Sequence, residues 1–403
     1  MSLVLNTNIN SMVAQNSLQS SGMQLSSALQ QLSSGLRINT AADDAAGFAI
    51  AQGMTSQING LNQAAQNAND GVSLTQTASG AMSEITNDLQ TMRDLAVESL
   101  NATNSANDRA DLNAQFSQLA ADINNVAANT QFNGVNLLDG SFQGADFQIG
   151  ANAGQIISVS SIASAATNAI GNFYTSAAAT GAYAGTAANK GDTASFDVQV
   201  GTNASITTGS VTLTGVQATD LKNVASAINE AVGSSYGIVA TVNAAGTGID
   251  LSTAKGSAQT VTVAVDAAST FATNTLTQNG LGLDASYTLG SAAGTAKNLS
   301  NTDVTSVDNS NLVLISVDNA LQQLATSSAQ LGAYQNRFQA AITGLNTTAT
   351  NLANAKSAIV DTNYAQATSN LSKAQILQQA GTSMVAQANT IPQNILTLLQ
   401  KLP

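Results

Sequence analysis

Histidine, cysteine and tryptophan are absent from the 403 residues, proline occurs twice, and 8% of residues carry charge. Each absence removes a class of function. Without His or Cys there is no zinc or haem site of the usual kind, no Ser-His or Cys-His nucleophile pair and no disulfide. Carboxylate chemistry remains open, yet Asp43-Asp44 is the one adjacent acidic pair, and sequence neighbours do not face one another across a cleft. No P-loop or dinucleotide glycine pattern occurs. The chain therefore reads as a non-enzyme with no cofactor and no metal.

The net charge is −12, and the 11 basic residues are scattered singly. Nucleic acid and anionic lipid both require clustered Lys and Arg, so neither is an expected partner. The first cation is Arg37, which leaves the N-terminus without the basic region of a secretory signal peptide. No apolar run reaches the roughly 18 residues of a membrane span. The sequence thus points either to the cytoplasm or to export without signal cleavage. In place of charge stand Ala, Asn, Gln, Ser and Thr, a surface that can pack against copies of itself without desolvating many ions. Composition alone fits a poorly charged helical monomer equally well.

Both ends of the chain carry a heptad rhythm, the pattern that winds helices around one another. Near the N-terminus it runs Leu18, Gly22, Leu25, Leu29, Leu32, Leu36, then Met54, Ile58, Leu61, Ala65, Ala68, Val72. It continues as Ala78, Met82, Ile85, Leu89, Met92, Ala96, and as Leu112, Phe116, Leu119, Ile123, Val126. Breaks are expected at Ser34-Gly35 and across 101–107. Toward the C-terminus, Leu321, Leu324, Ser328, Leu331, Gln335, Phe338, Ile342, Leu345, Ala349, Leu352, Lys356 and Ile359 keep the rhythm. That stretch makes a helix of about 58 Å at 1.5 Å per residue. After an interruption at 361–363 a last seam follows: Leu377, Gly381, Met384, Ala388, Ile391, Ile395, Leu398, Leu402. Pro392 inside it should kink the helix or begin a new turn. The inner helices are long enough to pair within the chain. The terminal seams are short, nearly uncharged and interrupted by Asn16, Gly22 and Gly381, which predicts a pair that orders when many copies pack together.

Between about 134 and 312 the periodicity changes. Asn133-Gly134 and Asp139-Gly140 are turn dipeptides. Strands are predicted at 147–149, 156–159, 196–200, 210–213, 238–242, 249–251 and 261–265, with a helix capped by Asp220 and running through Leu221, Val224, Ala227, Ile228 and Val232. Residues 175–190 read as loop, and 266–311 as a low-complexity return. The expected fold is α+β and multidomain: long antiparallel coiled-coil helices from both termini, with a central β-rich, α+β insert. Its parts are a terminal helical domain (1–40 with 360–403), a helical rod with β-hairpins (41–170 with 306–359) and a surface insert (171–305).

Several blocks together resemble bacterial flagellin. They are Leu5-Asn6-Thr7-Asn8, the run Leu32-Ser33-Ser34-Gly35-Leu36-Arg37-Ile38-Asn39 through Asp43-Asp44-Ala45-Ala46-Gly47, and Thr130-Gln131-Phe132-Asn133-Gly134. At the other end stand Leu331-Gly332-Ala333-Tyr334-Gln335-Asn336-Arg337-Phe338 and Ile391-Pro392-Gln393-Asn394-Ile395-Leu396. Residues 194–265 resemble the short α+β insert of flagellins and hook-associated proteins. The resemblance implies a filament subunit that polymerises with itself, exported unfolded through the flagellar type III apparatus to the extracellular flagellum. It also implies growth beneath a cap, contact with hook-junction proteins and an export chaperone on the C-terminal segment. Leu18, Leu25, Leu29, Leu32, Leu377, Met384, Ile391, Ile395 and Leu398 would pack the inner tube. The strip from Leu89 through Arg93 and Leu95 is similar to that gripped by the flagellin-sensing Toll-like receptor. Thr91 and Gln115 depart from the strongly recognised pattern, where Arg and Glu stand. Losing both removes charge-assisted hydrogen bonds of roughly 1.5–3 kcal/mol each, which implies weak immune recognition.

Two other readings follow from the same residues. One is a hook–filament junction protein; the other is carbohydrate binding by the insert, whose surface Ser and Thr could also carry sugars.

Overall fold

The computed structural model describes residues 8–176, 190–233, 236–243, 246–253, 259–266, 269, 283, 286–289 and 295–400. Leu5, Asn6, Thr7 and Leu402, most of the 175–190 loop and much of the 266–311 tract lie outside the described residues, as do the side chains of Ile391, Ile395 and Leu398. Six α-helices occur among them: α1 Ile9–Ser34, α2 Ala45–Ser99, α3 Ala106–Asn129, α4 Gln217–Ile228, α5 Val307–Val360 and α6 Tyr364–Gln400. α2 and α5 hold 55 and 54 residues, about 80 Å each at 1.5 Å per residue. The chain divides into two compact units: Met1–Asn69 with Gln148–Ile156 and Ala340–Pro403, and Asp70–Phe147 with Ile157–Gln339.

In the first unit α1 runs antiparallel to α6, and the early turns of α2 pack on the late turns of α5. Leu61, Ala64, Ala65 and Leu345 form that second contact, with Ala349 and Leu352 beside them. The loop after β3 crosses α2 at Gly60, where an added Cβ would stand 2.9 Å from the Cβ of Ala151. Asn67 Nδ2 holds the same loop by donating to the Gln148 carbonyl at 3.0 Å.

In the second unit the remaining parts of α2 and α5 sandwich a core with α3. Ala78, Met82, Ile85, Leu89, Met92 and Ala96 all face inward, as do Leu112, Phe116 and Ile123 from α3 and Leu324, Leu331 and Phe338 from α5. The expected break at 101–107 is present. Ser105 and Asp108 form a reciprocal capping box that starts α3. Arg109 donates to the carbonyls of Ser99, Asn101 and Asn104, satisfying groups that the end of α2 leaves open. Phe338 lies edge-on to Phe147, with ring centroids 5.3 Å apart, and sits in a notch made by Gly71. A Cβ there would come within 2.5 Å of the Phe338 ring.

Short antiparallel pairs follow: β1 Gln131–Phe132 with β2 Val135–Asn136, and β3 Gly144–Gln148 with β4 Ile156–Ser160. The first turns at Asn133 and Gly134, both at positive φ, as an Asn-Gly hairpin requires. The insert holds β5 Phe173–Thr175, β6 Thr193–Ala194, β7 Phe196–Val200, β8 Ile206–Thr207 and β9 Val211–Thr212. After α4 come β10 Ile238–Val242, β11 Ile249–Thr253, β12 Gln259–Val265, β13 Ser286–Leu289 and β14 Thr295–Lys297. Two four-stranded sheets result, ordered β10-β11-β5-β14 and β13-β12-β7-β8, around one core that includes Phe196, Val198, Leu221, Ile228, Leu251 and Val263. Because β14 pairs with β5, the chain leaves the insert beside the strand by which it entered.

Three expectations are corrected. Asp220 does not cap α4: the helix begins at Gln217, and the buried Asp220 carboxylate accepts from the backbone N–H groups of Thr214 and Gly215, tying down the preceding loop. The 266–311 tract contains β13 and β14. α5 begins at Val307, ahead of the periodic seam. α6 runs on through Pro392.

Candidate assembly interface

The terminal pair is built on small residues. On α1 the inward positions are Ser11, Ala14, Leu18, Ser21, Leu25, Ala28 and Leu32; on α6 they are Ala367, Leu371, Ala374, Gly381, Val385 and Ala388. Leu18, Leu25 and Leu32 are half-buried in this seam, alternating with Ala and Ser at heptad spacing. The expected register is shifted in part: Ser21 and Ala28 take the places assigned to Gly22 and Leu29. Gly381 lets the helices close, for a Cβ there would lie 3.1 Å from Leu18 Cδ1.

A polar bracket closes the other end of the pair. Gly35 ends α1 in the left-handed conformation at φ 72°, its N–H bonded to the Gln31 carbonyl. Leu36 then bridges to Asp361, Arg37 N–H donates to the Val360 carbonyl at 2.6 Å, and Thr362 N–H donates to the Gly35 carbonyl at 2.9 Å. The Arg37 guanidinium reaches the Ile359 carbonyl, placing a cation on the negative end of α5. Asp43 and Asp44 serve backbone groups rather than each other. Asp44 Oδ1 accepts from Gly47 N–H at 2.9 Å, capping α2. Asp43 Oδ2 accepts from the N–H groups of Asn39 and Thr40. The Thr40 and Asn39 amides hold the Asp43 carboxyl below its ordinary value of 3.8. A folded value below the unfolded one means stabilisation that is complete above pH 3.8 and lost as pH falls through the folded value. Asp43→Asn should therefore abolish the acid-side loosening of this turn, measured as the pH dependence of hydrogen exchange at Asn39 and Thr40.

Large apolar side chains stand among the polar ones on the outward faces of the pair. Ile9, Met12, Val13, Met23 and Leu29 on α1, and Ile376, Leu377 and Met384 on α6, are each 41% exposed or more, with Met23 and Ile376 at 64%. Completing the burial of a side chain of this size stabilises by up to about 1.5–3 kcal/mol. Val13, Ala14, Leu377, Gly381 and Met384 line a groove of about 600 Å³ along the pair. Residues 1–40 contain one charged side chain, Arg37, and 360–403 contain three, Asp361, Lys373 and Lys401, so covering these faces desolvates few ions. Of the residues expected to pack the inner tube, Leu18, Leu25 and Leu32 hold α1 to α6, whereas Leu29, Leu377 and Met384 point away from that seam. Sequence reasoning missed Ile9, Met12, Val13, Met23 and Ile376, which fall outside the heptad; a search for a second apolar stripe would have found them.

The receptor-like strip divides by burial. Leu89 and Leu95 belong to the core of the second unit, at 0% and 7% exposure, and offer no accessible contact: on α2 the 3.6-residue period turns 89, 92 and 95 inward together. Thr91, Arg93 and Gln115 are exposed. Arg93 is paired with Asp318 at 2.8 Å, which holds its guanidinium above its ordinary value. Both partners are about half exposed, so the pair stabilises little.

Paired chain ends with unfinished apolar faces, joined through long helices to an α+β insert, define a structural protein of helical assemblies. The bacterial flagellin N-terminal helical region matches residues 5–143, and the bacterial flagellin C-terminal helical region matches 314–399. B-type flagellin of Pseudomonas aeruginosa is 35% identical, across 99% of this chain and all of that protein. Flagellin D of Vibrio anguillarum and flagellin B of Vibrio cholerae are each 37% identical with the same coverage. The chain belongs to the bacterial flagellin family and is a structural subunit of the flagellar filament. Full-length likeness to flagellins favours this over a hook–filament junction protein. Among the described residues no helix is long and apolar enough to cross a membrane.

Proposed function

We propose that the subunit polymerises by completing its terminal helix pair against identical neighbours, so that folding of 1–40 and 360–403 and growth of the filament are one process. The observation that carries this is the row of exposed Ile, Leu, Met and Val on the outer faces of α1 and α6, beside a seam in which Ala, Ser and Gly alternate with half-buried Leu and Val, too slight to hold a helix pair firmly in water. On this reading the terminal pair forms the inner tube, 41–170 with 306–359 the wall, and 171–305 the solvent-facing surface. Family membership supports export unfolded through the type III apparatus, with a chaperone on the C-terminal segment, growth beneath a cap and attachment to hook-junction proteins. Purified subunit added to filament fragments should elongate them; capping without growth would return the junction reading.

Immune recognition of the exposed strip should be weak. Thr91 and Gln115 carry no charge where strong recognition uses a cation and an anion. Thr91→Arg with Gln115→Glu should raise potency in a receptor reporter titration by about a hundredfold or more, on the order of two charge-assisted hydrogen bonds. An unchanged titration would contradict the assignment.

A further inference from the structure

Pro392 leaves a gap in the hydrogen-bond ladder of α6, and a side chain of α1 fills it. In an α-helix the carbonyl of residue i accepts from the N–H of residue i+4, so the Ala388 carbonyl faces a residue with no N–H to give. Asn8 Nδ2 donates to that carbonyl at 2.8 Å. Its Oδ1 accepts from Ser11 N–H at 3.1 Å and caps α1, so both ends of one amide are committed. Beside it the buried Ser11 donates its hydroxyl to Asn389 Oδ1 at 2.8 Å.

The bracket of Gly35 with Thr362 and Arg37 with Val360 fixes one end of the pair; away from it, the seam says little about axial position. Leu18, Leu25 and Leu32 recur every seven residues, as do Ala14, Ser21 and Ala28, so a slip of one heptad presents the same kinds of side chain. Charge does not pin the helices either. A carbonyl stripped of its intrahelical donor does, because α6 contains one proline and therefore one such acceptor. A single polar contact in an apolar seam is a known means of fixing register.

We propose that Asn8 and Pro392 are a matched pair, a ladder defect and its complement, that locks the register at the open end of the terminal helices, opposite the Gly35–Thr362 bracket, and makes Asn8 a specificity-determining residue for assembly. This rests on the reading of the terminal pair as the polymerising segment. The test is a double-mutant cycle on the full chain, read as the critical concentration for elongation of filament seeds. Asn8→Asp keeps an oxygen to cap α1 but cannot donate to Ala388; Pro392→Ala restores the intrahelical donor. Asn8→Asp should raise the critical concentration about tenfold in the natural chain and less than twofold beside Pro392→Ala. The same penalty in both backgrounds, or none in either, overturns the pairing. Solid-state NMR of natural filaments gives a second readout: magnetisation transfer from Asn8 Nδ2 to the Ala388 carbonyl carbon is expected, and its absence also overturns the pairing. If Asn8→Asp is silent while loss of the chain ends still stops growth, the register proposal fails and the assembly reading stands. If chains without their ends still grow, the assembly reading itself fails.

Discussion

A chain lacking residues 1–34 and 364–403 should form no filaments at any accessible concentration, yet unfold cooperatively near the temperature of the intact subunit. The deletion removes α1 and α6 and with them every exposed apolar residue of the terminal pair. It leaves the core of the second unit, from Met82 and Phe116 to Phe338, and the insert core around Phe196 and Leu251. Eight outward Ile, Leu, Met and Val side chains, each contributing up to about 1.5–3 kcal/mol on burial, supply a driving force that exists only where neighbours cover them. Seeded elongation followed by electron microscopy reads the first outcome, and calorimetry the second. Long tubes from the truncated chain would remove the ends from the mechanism.

Phe338→Ala should cost about 3–5 kcal/mol, the usual range for emptying a fully buried Phe site. Phe338 is 0% exposed, meets Phe147 edge-on and fills the notch left by Gly71. The notch cannot collapse by local movement, since α2 and α5 are long helices fixed by contacts on either side. Gly71→Ala attacks the same site from the opposite direction: its methyl would come within 2.5 Å of the ring, and overpacking of this kind costs about 1–3 kcal/mol. Denaturant midpoints measure both. Because the two changes share one contact, their effects should not add; together the new methyl takes back part of the space that the lost ring vacates.

The inner helices were the most legible part of the sequence. Every position from Ala78 to Ala96 named by the three–four rhythm is buried, and none of those from Leu321 to Ile359 is fully exposed, Gln335 and Lys356 included. The reason is physical: large apolar side chains repeat on one face, and one face is covered. The terminal helices were harder, because there the seam prefers small residues. Ser21, Ala28 and Ala374 are buried while Leu29, Leu377 and Met384 are not, and a rule that sends Leu inward misassigns such a pair. Leu89, which the rhythm places in the seam, and Leu95, which it does not, are both in the core, so the receptor-like strip shares its residues with the packing of the second unit. β13 did carry a local signal that sequence reasoning missed: Ser286-Tyr287-Thr288-Leu289 alternates polar and apolar, and Tyr287 and Leu289 are the buried pair; β14, three residues long, exists through its pairing with β5. At Pro392 the helix continues, and the acceptor it frees is met from a residue 380 positions away, which no local rule contains.

Hydrogen exchange across 9–34 and 364–390, compared between dilute subunit and filament, bears most directly on the account. Amides in both stretches should exchange within seconds in the subunit, beside slow exchange in the core of the second unit, and become protected by several orders of magnitude once the filament forms. Equal, strong protection of these stretches in the dilute subunit would show a helix pair that stands without its neighbours, and the coupling of folding to assembly would be wrong.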